Sequence, residues 1–408
     1  MKFAFLGLDA NTTAIAHAVS SSSDHQLAFL YFDAGSDPQV RQAAEQLCDA
    51  ATCVAASPDW FVRLLDTPPD VVVVAARQDA TALVNDFRNL LELELPIVVS
   101  HPVNHSAMVY YELEMLAENS KSVLLPYLPL QWHPAVQALR ELVTADAVAA
   151  SAQDLGRLEQ ITLDRTVRQT TRSELLDLFA GDVDLARFLA GDVTDVAAMH
   201  SAADDDVPLP LNVQMNAQNG VLLRWSLTEV DQPPGGQLTL SGSRGAVTLS
   251  MDATEDWQLA TAAGQRNVLQ TWPPRGEGQH GLTELVQRLE ALRADRQTSG
   301  RQWQDATRGV EVVEALEKSL RKRRLVHLNY EGRGEQEAFK GTMASLGCGL
   351  LMALLAITVV SGVVLKLAKE QGLDNLAAMV AKIPYVALGL MVVFLFMQLL
   401  RLVIPEKK

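Results

Sequence analysis

Cysteine is scarce in this chain, with Cys48, Cys53 and Cys348 the only three in 408 residues. Three thiols cannot build a disulfide framework, and none sits in a C-x-x-C pair or a Cys/His cluster with zinc spacing. The soluble part is therefore expected in a reducing, cytosolic setting with no structural metal. Positive charge is short as well. Against 49 Asp and Glu stand 34 Lys and Arg, a net charge of −15, which excludes nucleic-acid binding driven by phosphate neutralisation. There is no G-x-S-x-G elbow and no H-E-x-x-H helix. The first apolar run, Phe3 to Leu8, meets Asp9 and Asn11 at once. That is too short for an export-signal core and reads as a buried first strand. Asp204-Asp205-Asp206 reads as a solvated loop rather than a cation site.

What is present is a folded-chain composition, 48 % hydrophobic and 20 % charged, long enough for two or three domains. The last part differs from the rest. Residues 342–365 carry no charge, and a second apolar run covers 383–404, interrupted only by Arg401. Each is long enough to cross ~30 Å of hydrocarbon as a helix, and Arg401 lies near an end where it can reach the headgroups. The expectation is a transmembrane hairpin in the lipid bilayer, preceded by a polar linker at 329–341. Arg321 to Arg324 before it and Lys407-Lys408 after it place both flanks in the cytoplasm. The N-terminal domains and the C-terminus are then cytoplasmic, on a membrane protein with two spans.

Residues 1–125 alternate apolar strands (2–8, 26–33, 70–75, 97–99, 122–125) with helical patterns (11–20, 37–49, 58–65, 81–91). Strands separated by single helices imply a doubly wound parallel sheet of Rossmann type. In 126–328 strands predominate (159–163, 211–216, 221–227, 237–241, 246–250), with helices near 173–190, 281–295 and 304–321. That order implies an α+β domain with a mostly antiparallel open sheet and helices on one face.

Several stretches resemble a known family. Pro69-Asp70-Val71-Val72-Val73-Val74-Ala75 resembles the fourth strand of its Rossmann domain. Pro96-Ile97-Val98-Val99-Ser100-His101-Pro102 stands where the family has its Glu-Lys-Pro motif. Gln131-Trp132-His133-Pro134-Ala135-Val136 resembles the segment after the sixth strand. Leu175-Leu176-Asp177 through Asp184-Leu185-Ala186-Arg187-Phe188-Leu189 resembles the helix bearing the catalytic Asp-x-x-x-His. The turns at Gln218-Asn219-Gly220-Val221 and Leu240 to Ala246, and the helix from Ala306 to Ser319, fit too. Over residues 1–328 the chain resembles the glucose–fructose oxidoreductase / inositol dehydrogenase / rhizopine-catabolism (Gfo/Idh/MocA) oxidoreductases. The resemblance implies a fold that binds NAD or NADP, a small-molecule substrate, and a second-domain sheet that forms homo-oligomer contacts.

The residues that carry chemistry depart from that pattern. The dinucleotide fingerprint wants glycine at positions matching 7, 9 and 12, so that the backbone can approach the pyrophosphate. Here the turn reads Gly7-Leu8-Asp9-Ala10-Asn11-Thr12. A carboxylate ~5 Å from one phosphate charge costs about 3 kcal/mol at an effective dielectric of ~20. Asp9 or Asn11 can instead cap the following helix. Gly7 remains a cofactor-binding candidate, and so does Asp33, placed for the ribose hydroxyls or for an ordinary turn. His101 takes the place of the family's lysine, and Gly181 that of the histidine four residues after Asp177. His101 and Asp177 are the remaining catalytic candidates. Asp182 or His200 could replace the lost imidazole only within about 3 Å of a substrate hydroxyl. The Thr-Pro-x-x-x-His type segment is replaced by Ala75-Ala76-Arg77-Gln78-Asp79. The sequence thus favours a non-catalytic ligand-sensing or assembly module. The alternative is an active NAD(P)-dependent oxidoreductase on a sugar-like or cyclitol hydroxyl.

Overall fold

The computed structural model describes residues 1–32, 38–47, 52–55, 59–118, 120–144, 155–200, 207, 209–231, 233–252, 255–261, 267–274, 279–294 and 296–328, with 357, 360, 361, 364 and 366. The chain divides into two compact units, Met1–Asn329 and Tyr330–Lys408. The first carries all that follows. Both expected spans fall outside the described residues, bar 357, 360, 361 and 364 of the first, as do the linker and Asp33. Among the described residues no helix is long and apolar enough to cross a membrane.

The first half opens with β1 (Lys2–Leu6), α1 (Ala10–Ser20), β2 (Gln26–Phe32), α2 (Pro38–Leu47), β3 (Thr52–Ala55) and α3 (Trp60–Asp66). It continues with β4 (Val71–Val74), α4 (Ala80–Leu91), β5 (Pro96–Ser100), α5 (Ala107–Glu118), β6 (Val123–Tyr127), α6 (Pro129–Trp132) and α7 (Pro134–Thr144). The six strands pair in parallel in the order β3-β2-β1-β4-β5-β6, as expected of a Rossmann-type sheet. The four valines of β4 are all buried. A parallel strand covered on both faces needs such an unbroken β-branched run. The order reverses between β1 and β4, so a crevice opens at the carboxyl ends of the strands, where ligands of such sheets bind. β1 ends at Leu6, two residues before the expected end, because Gly7 turns the chain with φ +80°. Only glycine adopts that conformation freely.

The second half comprises β7 (Leu158–Val167), α8 (Arg172–Ala190), β8 (Val193–His200), β9 (Leu211–Ala217), β10 (Leu222–Glu229), β11 (Gly235–Gly242) and β12 (Ala246–Asp252). It closes with β13 (Trp257–Thr261), β14 (Val268–Trp272), α9 (Gln279–Ala294), α10 (Arg296–Lys322) and β15 (Val326–His327). Nine strands form one sheet in the order β14-β13-β12-β11-β7-β10-β9-β8-β15. Only β7 and β10 run parallel; the other pairings are antiparallel. Alternation sets its two faces. Ile161 and Leu163 of β7 and Val213 and Met215 of β9 point into the core with Phe179 and Leu176 of α8, whereas Asp164, Gln214 and Arg224 are exposed.

The last two helices return to the first sheet. Leu282, Leu285, Leu289 and Leu292 of α9 pack with Phe3, Phe5, Ile15 and Leu125 on one of its faces. Trp303, Ala306 and Val310 of α10 pack with Phe87, Tyr110 and Leu113 on the other. Farther along α10, Val312, Val313 and Leu316 belong to the core of the nine-stranded sheet. One helix of 27 residues therefore serves both cores.

Candidate active-site cavity

The turn after β1 settles the choice left open for Asp9. Asp9 is the N-cap of α1: its Oδ1 accepts the Thr12 N–H at 2.8 Å, and the Asp9 N–H donates to Thr12 Oγ1 at 2.7 Å, a reciprocal capping box. Its other oxygen, Oδ2, accepts the Ala76 N–H from beyond β4 at 2.8 Å. A helix N-terminus at the switch point is where a pyrophosphate would be cradled by backbone N–H groups. Here the carboxylate of Asp9 takes one of those donors, the Thr12 N–H, with its negative charge beside the same helix end. Thr12 is fully buried beneath it. Gly7 allows a close approach to β4, since a Cβ there would lie 3.1 Å from Ala75 Cβ. The Asp9 carboxylate therefore stands at the turn where Rossmann-type sheets hold a dinucleotide pyrophosphate.

His101 follows β5 and is buried. Tyr110 of α5 accepts the Val103 N–H at 2.8 Å, and its oxygen lies 2.9 Å from His101 Nδ1. Burial pushes the Tyr110 hydroxyl well above the usual phenol range, so His101 Nδ1 faces a neutral phenol. Nε2 stands 2.7 Å from Asp184 Oδ2 of α8, with the two side chains 1 % and 3 % exposed. The two atoms are in close contact, and neither is exposed to solvent. Behind Asp184, Arg187 contacts its Oδ1 at 3.5 Å and binds Asp192 and Asp305 at 2.8 Å each. Burial works against the Arg187 charge, but Asp305, Asp184 and Asp192 outweigh it and raise its pKa above the usual value. His101 thus has Tyr110 against one ring nitrogen and Asp184 against the other.

Asp177 and Gly181 lie one turn apart on α8, and both line the cavity with Asp184. Asp177 is paired with His105 Nε2 at 2.7 Å, a histidine contributed by the segment after β5. A Cβ at Gly181 would meet Leu130 Cδ1 at 3.4 Å, an ordinary contact, so a side chain there could enter the cavity. Neither proposed substitute for the lost imidazole reaches the wall. Asp182 is fully buried, bound by Arg165 Nε at 2.9 Å and Nη2 at 2.5 Å and by Trp225 Nε1 at 2.8 Å. His200 is not among the residues lining the cavity. Sequence reasoning missed His105, Tyr110 and Asp184. His105 and Asp184 meet partners far along the chain, Asp177 and His101, and only the fold brings them together.

The cavity between these groups measures about 450 Å³, the size of a small-molecule site. Asp9, His101, Arg165, Asp177, Asp184 and Trp257 are in its wall. Among the described residues no group of three or more His, Cys, Asp or Glu could hold a metal ion.

No protein-family model matches the chain, and no curated protein matches it. Solved structures do. Myo-inositol dehydrogenase from Corynebacterium glutamicum aligns with a TM-score of 0.59 at 17 % identity, over 81 % of this chain and 99 % of its own. An oxidoreductase from Agrobacterium radiobacter, in complex with NAD+, L-tartaric acid and magnesium, gives 0.60 at 17 % identity, over 80 % and 98 %. Levoglucosan dehydrogenase in complex with NADH and L-sorbose gives 0.59 at 14 % identity, over 81 % and 99 %. The structural neighbours of this chain are dehydrogenases of the Gfo/Idh/MocA type, and at this identity what it shares with them is the fold.

Proposed function

We propose that this chain is a membrane-tethered, ligand-binding member of the Gfo/Idh/MocA-type fold that does not use a nicotinamide dinucleotide. The observation that carries the reading is Asp9, whose carboxylate occupies the Thr12 and Ala76 N–H groups. Gly181 in the histidine position supports it, because proton abstraction from a substrate hydroxyl then lacks its imidazole. The test is titration calorimetry with NAD, NADH, NADP and NADPH. The wild-type chain is expected to give no binding heat, and Asp9→Gly with Thr12→Gly to gain binding. Micromolar binding of any of the four by the wild type overturns the proposal.

The second reading, an active NAD(P)-dependent oxidoreductase on a sugar-like or cyclitol hydroxyl, draws on His101 and Asp177, which share one cavity wall. Dinucleotide binding in the same titration would favour it. The apolar runs at 342–365 and 383–404 support attachment to the bilayer, with the N-terminal domains and the C-terminus cytoplasmic. The exposed face of the nine-stranded sheet offers a surface for a homo-oligomer, which light scattering of the purified chain would detect.

A further inference from the structure

We infer that the turn closing α10, Arg321 to Leu325, is a docking surface for the anionic lipid headgroups of the bilayer. The inference rests on the membrane attachment proposed above and names the lipid class that the folded unit meets there.

The first observation is charge. Arg321-Lys322-Arg323-Arg324 is the only run of more than two consecutive basic residues in a chain of net charge −15. All four are exposed, as are Lys318 one turn earlier and Leu325 directly after them. Two cations in the last turn are what a helix C-terminus favours. Arg323 and Arg324 lie beyond the helix, and its dipole does not account for them. The acids of this corner are engaged elsewhere, Glu317 with Arg172 at 2.9 Å and Asp195 with His327. Among the described residues no carboxylate pairs with Arg321, Lys322 or Arg324.

The second observation is that the run is built into the fold. Arg323 turns the chain with φ +49°. The Ser319 hydroxyl donates to the Arg324 carbonyl oxygen at 2.8 Å and accepts the Ala198 N–H at 2.9 Å. Directly afterwards Val326 and His327 pair with Val196 and Asp195 of β8. The basic side chains therefore stand on a turn fixed at both ends, with little backbone entropy left to lose on binding.

Proximity selects the partner. Away from a membrane, the overall charge of −15 opposes the approach of any polyanion. Residues 330–341 join the first unit to the first apolar run, and twelve residues reach at most about 43 Å. Such a tether holds the turn at a high effective concentration of membrane surface. A cluster of basic residues beside a span is drawn to anionic lipids within a Debye length. Leu325 adds an apolar tip for the boundary between headgroups and acyl chains. A nucleic acid has no tether to offset the overall charge.

The experiment is hydrogen–deuterium exchange of the full-length chain in nanodiscs of phosphatidylcholine, alone or with phosphatidylglycerol. Amides of 319–328 are expected to exchange at least about threefold more slowly in the anionic discs, with those of α9 unchanged. Salt at about 1 M should erase the difference. Arg321→Gln with Lys322→Gln and Arg324→Gln should erase it too, at an unchanged unfolding temperature. Lys121→Gln with Arg157→Gln, exposed cations elsewhere, should keep it. Equal exchange in the two discs, a difference that survives the triple variant, or greater protection by single-stranded RNA added to phosphatidylcholine discs overturns the inference and leaves the tether standing. Failure of the chain to enter either disc overturns the tether as well, so the two failures are distinct.

Discussion

Asp182 shows how a residue chosen for its chemistry can turn out to serve the scaffold. Its carboxylate has no exposure at all, and Arg165 and the Trp225 indole saturate it. Removing one partner of a buried pair strands the other charge, at about 3–5 kcal/mol. Arg165→Met should therefore lower stability by that order in urea unfolding, and adding Asp182→Asn should recover part of it. Glu311 of α10 makes a prediction about pH. Burial raises its pKa, although the Tyr111 hydroxyl donates to it and Arg308 lies near. The folded protein then holds this proton more tightly than the unfolded chain. The stability it contributes is full below the ordinary glutamate value of about 4.3 and is lost as pH rises through the higher folded value. Glu311→Gln should flatten that decline, read as the urea midpoint against pH. At this scale the sequence displayed what was missing and hid what replaced it. Asp9 and Gly181 stand out against a motif of fixed spacing. The contact between His105 and Asp177 spans 72 positions, and no local pattern announces it.

Elements with a strong period were legible and weakly patterned ones were not. The valine run of β4 and the capped α8, whose Thr171 and Glu174 form a reciprocal cap, were both anticipated within a few residues. The strand β8, Val-Thr-Asp-Val-Ala-Ala-Met-His, alternates too feebly to be read, and β15 has only two residues; both take their place from pairing with neighbours. The placement of α9 was also beyond sequence patterns. Its leucines mark an apolar face but do not say against which sheet, and that sheet is the one built by the first strands. Leu285 is fully buried there. Leu285→Ala should cost about 2–5 kcal/mol through the lost methyl groups and the cavity they leave. Thermal unfolding would check it, and a shift no larger than that of an exposed-residue control would contradict the packing described for α9.

For the whole molecule, composition bounded much and located little. A charge of −15 argues against non-specific nucleic-acid binding, and alternation of strands and helices identified a parallel sheet followed by a mostly antiparallel one. The compact unit Met1–Asn329 contains both sheets and every helix that seals them. A chain ended after Tyr330 is therefore expected to fold and to partition into the soluble fraction, while the full chain sediments with membranes; recovery of the shortened chain in the membrane pellet would contradict the tether. The return of α9 and α10 to the first sheet also bears on synthesis. The strands of that sheet leave the ribosome early, yet the leucines that cover one face end at Leu292 and the α10 residues that cover the other end at Val310. Until those have emerged, Phe3, Phe5 and their neighbours wait with an apolar surface uncovered. The nascent chain is for that interval a client for holding chaperones, with its oldest residues among the last to be sealed.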